Sequence, residues 1–199
     1  TYKEKPNFLF IFYFFQTLFS YSKMLYDEFT IVKIEKEAKK LKTNAMRILD
    51  NANIPYDVKE YDDDGEHVLA KGAAERLAEK LGIDPLCVFK TIVMRTDTKE
   101  ICVFCQCALS EINLKKARNA AGCKEINPVK PEELLGLTGY IRGGCTPIGM
   151  KKKFRTFIDE QIQLHEQVFI SGGQRGVQIK LSPEDLINIT EATVLDLEL

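Results

Sequence analysis

Four of the chain's twelve glycines fall within Thr138–Met150, and three more within Ile170–Gly176. The first segment reads Thr138-Gly139-Tyr140-Ile141-Arg142-Gly143-Gly144-Cys145-Thr146-Pro147-Ile148-Gly149-Met150 and leads into Lys151-Lys152-Lys153. The second, Ile170-Ser171-Gly172-Gly173-Gln174-Arg175-Gly176, lies between two strand-like runs. Glycine takes up positive φ and lets other atoms approach the backbone closely. Successive amides in such turns form a nest that attracts anions and carbonyl oxygens. The chain must therefore bend sharply twice, with bare backbone at each bend and a cation nearby. Two readings stand: a pocket walled by main-chain amides, or two tight strand connections.

A chain of 199 residues is long enough for one well-packed domain and too short for two large ones. At 45% hydrophobic and 29% charged it has an ordinary globular composition. A net charge of -1 excludes a global field that draws the protein onto nucleic acid, so local patches must do any such work. Lys115, Lys116, Arg118 and Lys124 form one basic cluster, and Lys151, Lys152, Lys153 and Arg155 another. Both read as solvated faces unless they flank one pocket.

The six cysteines cluster in apolar runs and do not resemble a disulfide framework. Cys102-Val103-Phe104-Cys105-Gln106-Cys107 invites a metal reading. Strand alternation sends Cys102 and Cys105 to opposite faces, and no histidine lies near in sequence. The cysteines read as small buried hydrophobes in a reducing compartment, the cytosol. No metal and no cofactor are expected.

Phe8-Leu9-Phe10-Ile11-Phe12-Tyr13-Phe14-Phe15 follows Lys3 and Lys5. It resembles a signal h-region without a clean cleavage site and is too short to span a bilayer. We read residues 1–42 as an extension, with Thr1 to about Ser22 extraneous to the working domain, and 43–199 as that domain. A buried or membrane-associating segment is the rival reading. Thr43 caps a predicted helix, Asn44–Asn53, and Pro55 stops it. Tyr56–Tyr61 alternates like a strand, Asp62-Asp63-Asp64-Gly65 is a turn, and Gly72–Leu81 is a second helix ended by Gly82. Val88–Met94 and Ile101–Ala108 pair around Thr96-Asp97-Thr98-Lys99. Asn113–Ala121 and the short Pro131–Leu135 are helical. Thr156–Ile158, Gln167–Ser171 and Val177–Leu181 are strands, and Ser182-Pro183 opens a last helix. Strands and helices mix without strict alternation. The expected class is α+β with a mixed, largely antiparallel sheet and surrounding helices.

Lys90 lies within the strand run Val88–Met94, on the face of Val88, Ile92 and Met94. A lysine there either snorkels to solvent or points a cation into a cavity, and on spacing alone snorkelling is the commoner outcome. His67 and His165 read as surface histidines. No Ser-His-Asp set, HExxH pair or P-loop is present. Any catalysis must then come from backbone amides and a lysine, with help from the substrate.

Four ordered segments carry a resemblance: Phe89-Lys90-Thr91, Leu114-Lys115-Lys116-Ala117, the Thr138–Gly149 turn with Lys151-Lys152, and Ser171-Gly172-Gly173-Gln174-Arg175-Gly176. Thr43-Asn44-Ala45, Leu49 and Ile54-Pro55-Tyr56 add to it. Together they resemble the YbaK/EbsC family, free-standing relatives of the editing domain of bacterial prolyl-tRNA synthetase. The resemblance runs from about Thr43 to near Leu199 and implies that family's barrel-like curved sheet. It implies hydrolysis of the ester of mischarged tRNA, typically cysteinyl-tRNA for proline. tRNA is the implied substrate, prolyl-tRNA synthetase a candidate partner, and no membrane is involved.

The family lysine falls on Lys90, its Gly-x-x-x-Pro loop on Gly143–Pro147, and its pocket tyrosine on Tyr61. The implied catalytic groups are Lys90 and the main chain of Gly143, Gly144 and Cys145. Phe89, Thr91, Thr146, Pro147, Ser171, Gly172, Gly173 and Arg175 join Tyr61 as implied substrate contacts, and Lys151 and Lys152 as tRNA contacts. Two positions depart from the family. Gln178 stands where relatives are often acidic, and Asp62-Asp63-Asp64 replaces a histidine. The Cys145 thiol is read as incidental. The alternative function is a non-catalytic module that holds aminoacyl-tRNA or a nucleotide and acts through a protein partner.

Overall fold

The computed structural model describes residues 42–62 and 72–198. The chain divides into units Thr1–Lys42 and Thr43–Leu199, and the architecture below is that of the second. The extension with its Phe8–Phe15 run, most of the Asp62–Gly65 turn, and His67 lie outside the described residues.

Local chemistry sets most boundaries. Thr43 accepts from the Met46 amide and starts helix α1, Asn44–Asn51. Strand β1 is Asp57–Glu60, and helix α2 is Ala73–Leu81, closed by Gly82 in the left-handed region. A 3₁₀ turn over Pro85–Cys87 leads into β2, Phe89–Thr96, which returns as β3, Ile101–Cys107. Asn113 accepts from both Lys115 and Lys116 amides and opens α3, Leu114–Ala121. Strand β4 is Ile126–Pro128 and helix α4 is Pro131–Thr138. Strand β5, Arg155–Asp159, is followed by a 3₁₀ turn, Glu160–Leu164. Strands β6, Val168–Ser171, and β7, Val177–Leu181, form a hairpin around the second glycine turn. Ser182 caps α5, Pro183–Thr190, and β8 is Thr193–Leu195.

The predicted α+β class holds, and most strand pairs are antiparallel. The strands form two sheets, ordered β1-β7-β6 and β4-β2-β3-β5-β8, with no closed barrel among the described residues. The smaller sheet is wholly antiparallel, whereas β3–β5 and β5–β8 pair in parallel. A parallel bridge between Val88 and Phe169 joins the sheets. Helix α4 runs three residues further than predicted. Gly136 is tolerated there because Lys151 donates to the Leu135 and Gly136 carbonyls at 3.0 and 3.5 Å, and Thr138 Oγ1 donates to Leu134 O at 2.8 Å.

Alternation along β2 and β3 divides the interior. Met94, Cys102 and Phe104 face Ala117 and Ala121 of α3 together with Leu197. Phe104 stacks on Phe157 with ring centroids 5.1 Å apart. On the other side, Val93 and Val103 meet Leu134 of α4, Tyr140 and Cys145. Cys105 joins a third cluster with Ala45 and Leu49 of α1 and Ile170 and Ile179 of the smaller sheet. Cys102 and Cys105 thus sit on opposite faces, as alternation requires. All six cysteines are free thiols.

Candidate active site

Strand β2 pairs with β3 along Phe89–Arg95, but with β4 only over Met94–Thr96. Its remaining edge, from Phe89 to Ile92, carries no strand among the described residues. A groove of about 1000 Å³ opens there, and every residue from Val88 to Val93 lines it. A strand viewed on one face presents only alternate residues. An unbroken run means that the edge of β2 forms the floor.

Lys90 stands opposite Gln106 in the β2–β3 register. Its ammonium donates to Ala108 O at 3.2 Å and Ser110 O at 2.5 Å. Spacing favoured snorkelling into bulk water. The structure instead ends the side chain on two carbonyls beside the groove, because the turn after β3 crosses the end of that face. Burial lowers the Lys90 pKa below its ordinary 10.5, while the nearby Cys107 and Glu111 oppose that shift.

The two glycine turns meet. A Cβ on Gly144 would lie 3.0 Å from the Gln174 carbonyl carbon and 3.1 Å from the Arg175 nitrogen. Arg175 Nε donates to Arg142 O at 2.8 Å across the same junction. The start of α1 clamps both turns: Thr43 Oγ1 donates to Gly172 O at 2.5 Å, and Asn44 Nδ2 to Gly149 O at 2.8 Å. Tyr140, buried between them, donates its hydroxyl to Ile148 O at 2.7 Å. Sequence reasoning found the glycines but missed these anchors. A capping threonine and an apolar tyrosine give no sign of a distant partner.

Gly143, with φ of 86°, and Cys145 reach the groove. Their amides have no acceptor among the described residues. The Gly144 amide is different: it donates to Ile141 O at 3.0 Å, closing the turn, and so does not serve a ligand. The Cys145 thiol is pushed up to about 12, chiefly by burial, and is protonated at neutral pH.

Tyr61, Phe89, Thr91 and Ser171 line the groove with Lys90, Gly143 and Cys145. The other expected substrate contacts do not line it. Thr146 and Pro147 are buried behind the turn, and Gly172, Gly173 and Arg175 pack the junction. Lys151 caps α4, and neither it nor Lys152 reaches the groove wall. Residues that sequence reasoning did not assign to the site also line it. Among them are Arg76, Arg142 and the carboxylates of Asp62, Glu75 and Glu111. These come from loops and from α2, where charge alone carries no signal of a groove. Gln178, singled out only as a departure from the family, lines the groove opposite Ser171 in the β6–β7 register. No histidine lines it among the described residues. His165 instead lies 3.4 Å from Cys87 Sγ and edge-on to Phe89. Among the described residues no cluster of three or more His, Cys, Asp or Glu could hold a metal. None of the helices there is long and apolar enough to cross a membrane.

A family model described as "Aminoacyl-tRNA editing domain" matches residues 69–189. The chain is 38% identical over 155 residues to a protein of Enterococcus faecalis named "Putative Cys-tRNA(Pro)/Cys-tRNA(Cys) deacylase EbsC", covering 78% of this chain and 92% of that one. It is 33% identical over 91 residues to the proline–tRNA ligase of Brachyspira hyodysenteriae, a match to 46% of this chain and only 16% of the ligase. The fold resembles a crystal structure described as "a putative trans-editing enzyme for prolyl tRNA synthetase". That match has a TM-score of 0.67 and 23% identity and covers 80% of this chain and 99% of the other.

Proposed function

The chain belongs to the aminoacyl-tRNA editing domain family, and from that premise we propose that it is a deacylase that cleaves mischarged tRNA. Cysteinyl-tRNA for proline is the favoured substrate, in line with the name of the Enterococcus faecalis relative. One observation carries the reading: Lys90, Gly143 and Cys145 line a single groove, and the amides of the latter two have no acceptor among the described residues.

The 3′ end of tRNA places phosphate and ribose next to the aminoacyl ester. In our reading Lys90 holds that polar end as a point charge. The Gly143 and Cys145 amides donate to the ester carbonyl oxygen and stabilise the negative charge that develops on it. Removing one such donor from an acyl-transfer site costs about 10²- to 10³-fold in rate. With no histidine base, attack falls to a group the substrate brings. Water held by the free vicinal ribose hydroxyl suffices for a general aminoacyl ester. A cysteinyl ester can use its own thiol: sulfur bonds to the carbonyl carbon, the ester C–O bond breaks, and the thiol proton passes to the departing ribose oxygen; the four-membered cyclic thioester released is then opened by water at its C–S bond to give free cysteine. Tyr61, Thr91, Ser171 and Gln178 line the remaining wall and would contact the amino acid or terminal nucleoside.

The test uses cysteinyl-tRNA at large excess over purified protein. Release of many equivalents of free amino acid and tRNA per protein is expected, with Lys90→Ala losing nearly all of it. Saturable retention of charged tRNA without release would replace the enzyme with a binding module.

A further inference from the structure

We infer that the segment following β8 positions Lys90, with Glu198 as a positioning residue acting through Ser110; this rests on the deacylase reading for its effect on rate, though not for its effect on Lys90 itself. The two carbonyls that take the Lys90 ammonium belong to Ala108 and Ser110, in the turn after β3. Gln106, fully buried, donates to the same Ser110 oxygen at 2.8 Å. A lysine held this way is placed only as well as that turn is placed.

The turn is fixed from behind by residues 196–198. Ser110 Oγ donates to Glu198 Oε1, and the other carboxylate oxygen accepts from Gln161 Nε2 at 2.5 Å. Ile112 and Glu198 form an antiparallel bridge, and the Asn113 amide donates to Leu197 O at 2.8 Å. Lys116 donates to Glu198 O and to the Asp196 carboxylate at 2.6 Å. Leu197 is fully buried against Phe104 and Met94, and its amide donates at 2.7 Å to Asp159, a buried carboxylate at the end of β5. A continuous chain of contacts thus runs from the sheet, through Asp159, Leu197 and Glu198, to Ser110 and on to the ammonium. Glu198 touches neither the groove nor Lys90. It acts by holding the oxygen that holds the cation.

Displacing a catalytic group by about 1 Å can cost on the order of 10²-fold in rate. We therefore expect Glu198→Ala and Ser110→Ala each to lower kcat for cysteinyl-tRNA by about tenfold or more. KM should change less than kcat, because Lys90 is the one tRNA-facing group displaced. Ser110→Ala removes the same bond without disturbing Leu197, so it decides the matter if Glu198→Ala unfolds. The discriminating readout is the ammonium of Lys90, followed by ¹⁵N NMR and assigned by its loss in Lys90→Arg. In the wild-type protein its protons are shielded by two carbonyls. In both variants they should exchange faster with water, and Glu198→Gln, which keeps an oxygen for Ser110, should restore the shielding. An ammonium signal unchanged in the folded variants overturns the inference, whatever happens to the rate. A changed signal in a protein that releases no amino acid leaves the positioning intact and sinks the deacylase reading instead.

Discussion

Lys90 is the residue on which most depends. A cation on an apolar strand face loses hydration, and here burial outweighs the neighbouring groups that favour its charge. The sign of the resulting stability effect is fixed by linkage. The folded protein binds this proton less tightly than the unfolded chain does. Below the lowered value both states are protonated and the full burial cost is present. As pH rises toward 10.5 the folded state releases the proton first and the cost fades. Lys90→Met should therefore be more stable than the wild type at neutral pH, and thermal melts should show the gap closing as pH climbs toward 10.5. A gap that widens with pH would mean that the carbonyls of Ala108 and Ser110 stabilise the ammonium more than burial penalises it. The lysine's position in a strand was legible from sequence. Its partners were not, because they lie 18 and 20 residues away in a turn with no distinguishing composition.

At the level of elements, the two glycine turns meet backbone against backbone. Gly144→Ala places a methyl 3.0 Å from the backbone of Gln174, where no side chain can swing aside. Such overpacking costs about 1–3 kcal/mol. Chemical denaturation should report a loss in that range, together with reduced activity as the turns separate. Most elements were legible because their ends carry local chemistry: Thr43, Asn113 and Ser182 as caps, Gly82 and Gly122 as stops. Strands β4 and β8 were not. Each has three residues and owes its pairing to a neighbour rather than to its own pattern. The length of α4 was likewise set from outside, by Lys151 on its last carbonyls. Of the expected site, Tyr61, the residues on β2, Gly143, Cys145 and Ser171 reach the groove, whereas Thr146, Pro147, Gly172, Gly173 and Arg175 form its supports. A glycine-rich motif cannot by itself distinguish an amide that faces a ligand from one that closes a turn.

For the whole molecule, charge decides how a large anion is drawn in. With a net charge of -1 there is no long-range pull, so attraction must come from local patches, among them the groove, where Arg76, Lys80, Lys90 and Arg142 stand beside Asp62, Glu75 and Glu111. If tRNA is the substrate, kcat/KM should fall steeply with salt, and Arg142→Ala should reduce the slope of log kcat/KM against log salt by roughly one. An unchanged slope would place the tRNA backbone elsewhere on the surface. The interlocked turns have a kinetic corollary. Because Gly144 rests on Gln174 and Arg175, and the start of α1 grips both bends, neither bend has room to open alone. The amides of Gly144 and Gly172, each bonded within its own turn, should then trade hydrogen for deuterium with a common opening free energy. Two stretches of chain 28 residues apart would breathe as a single unit, and whatever loosens one would unfasten the other.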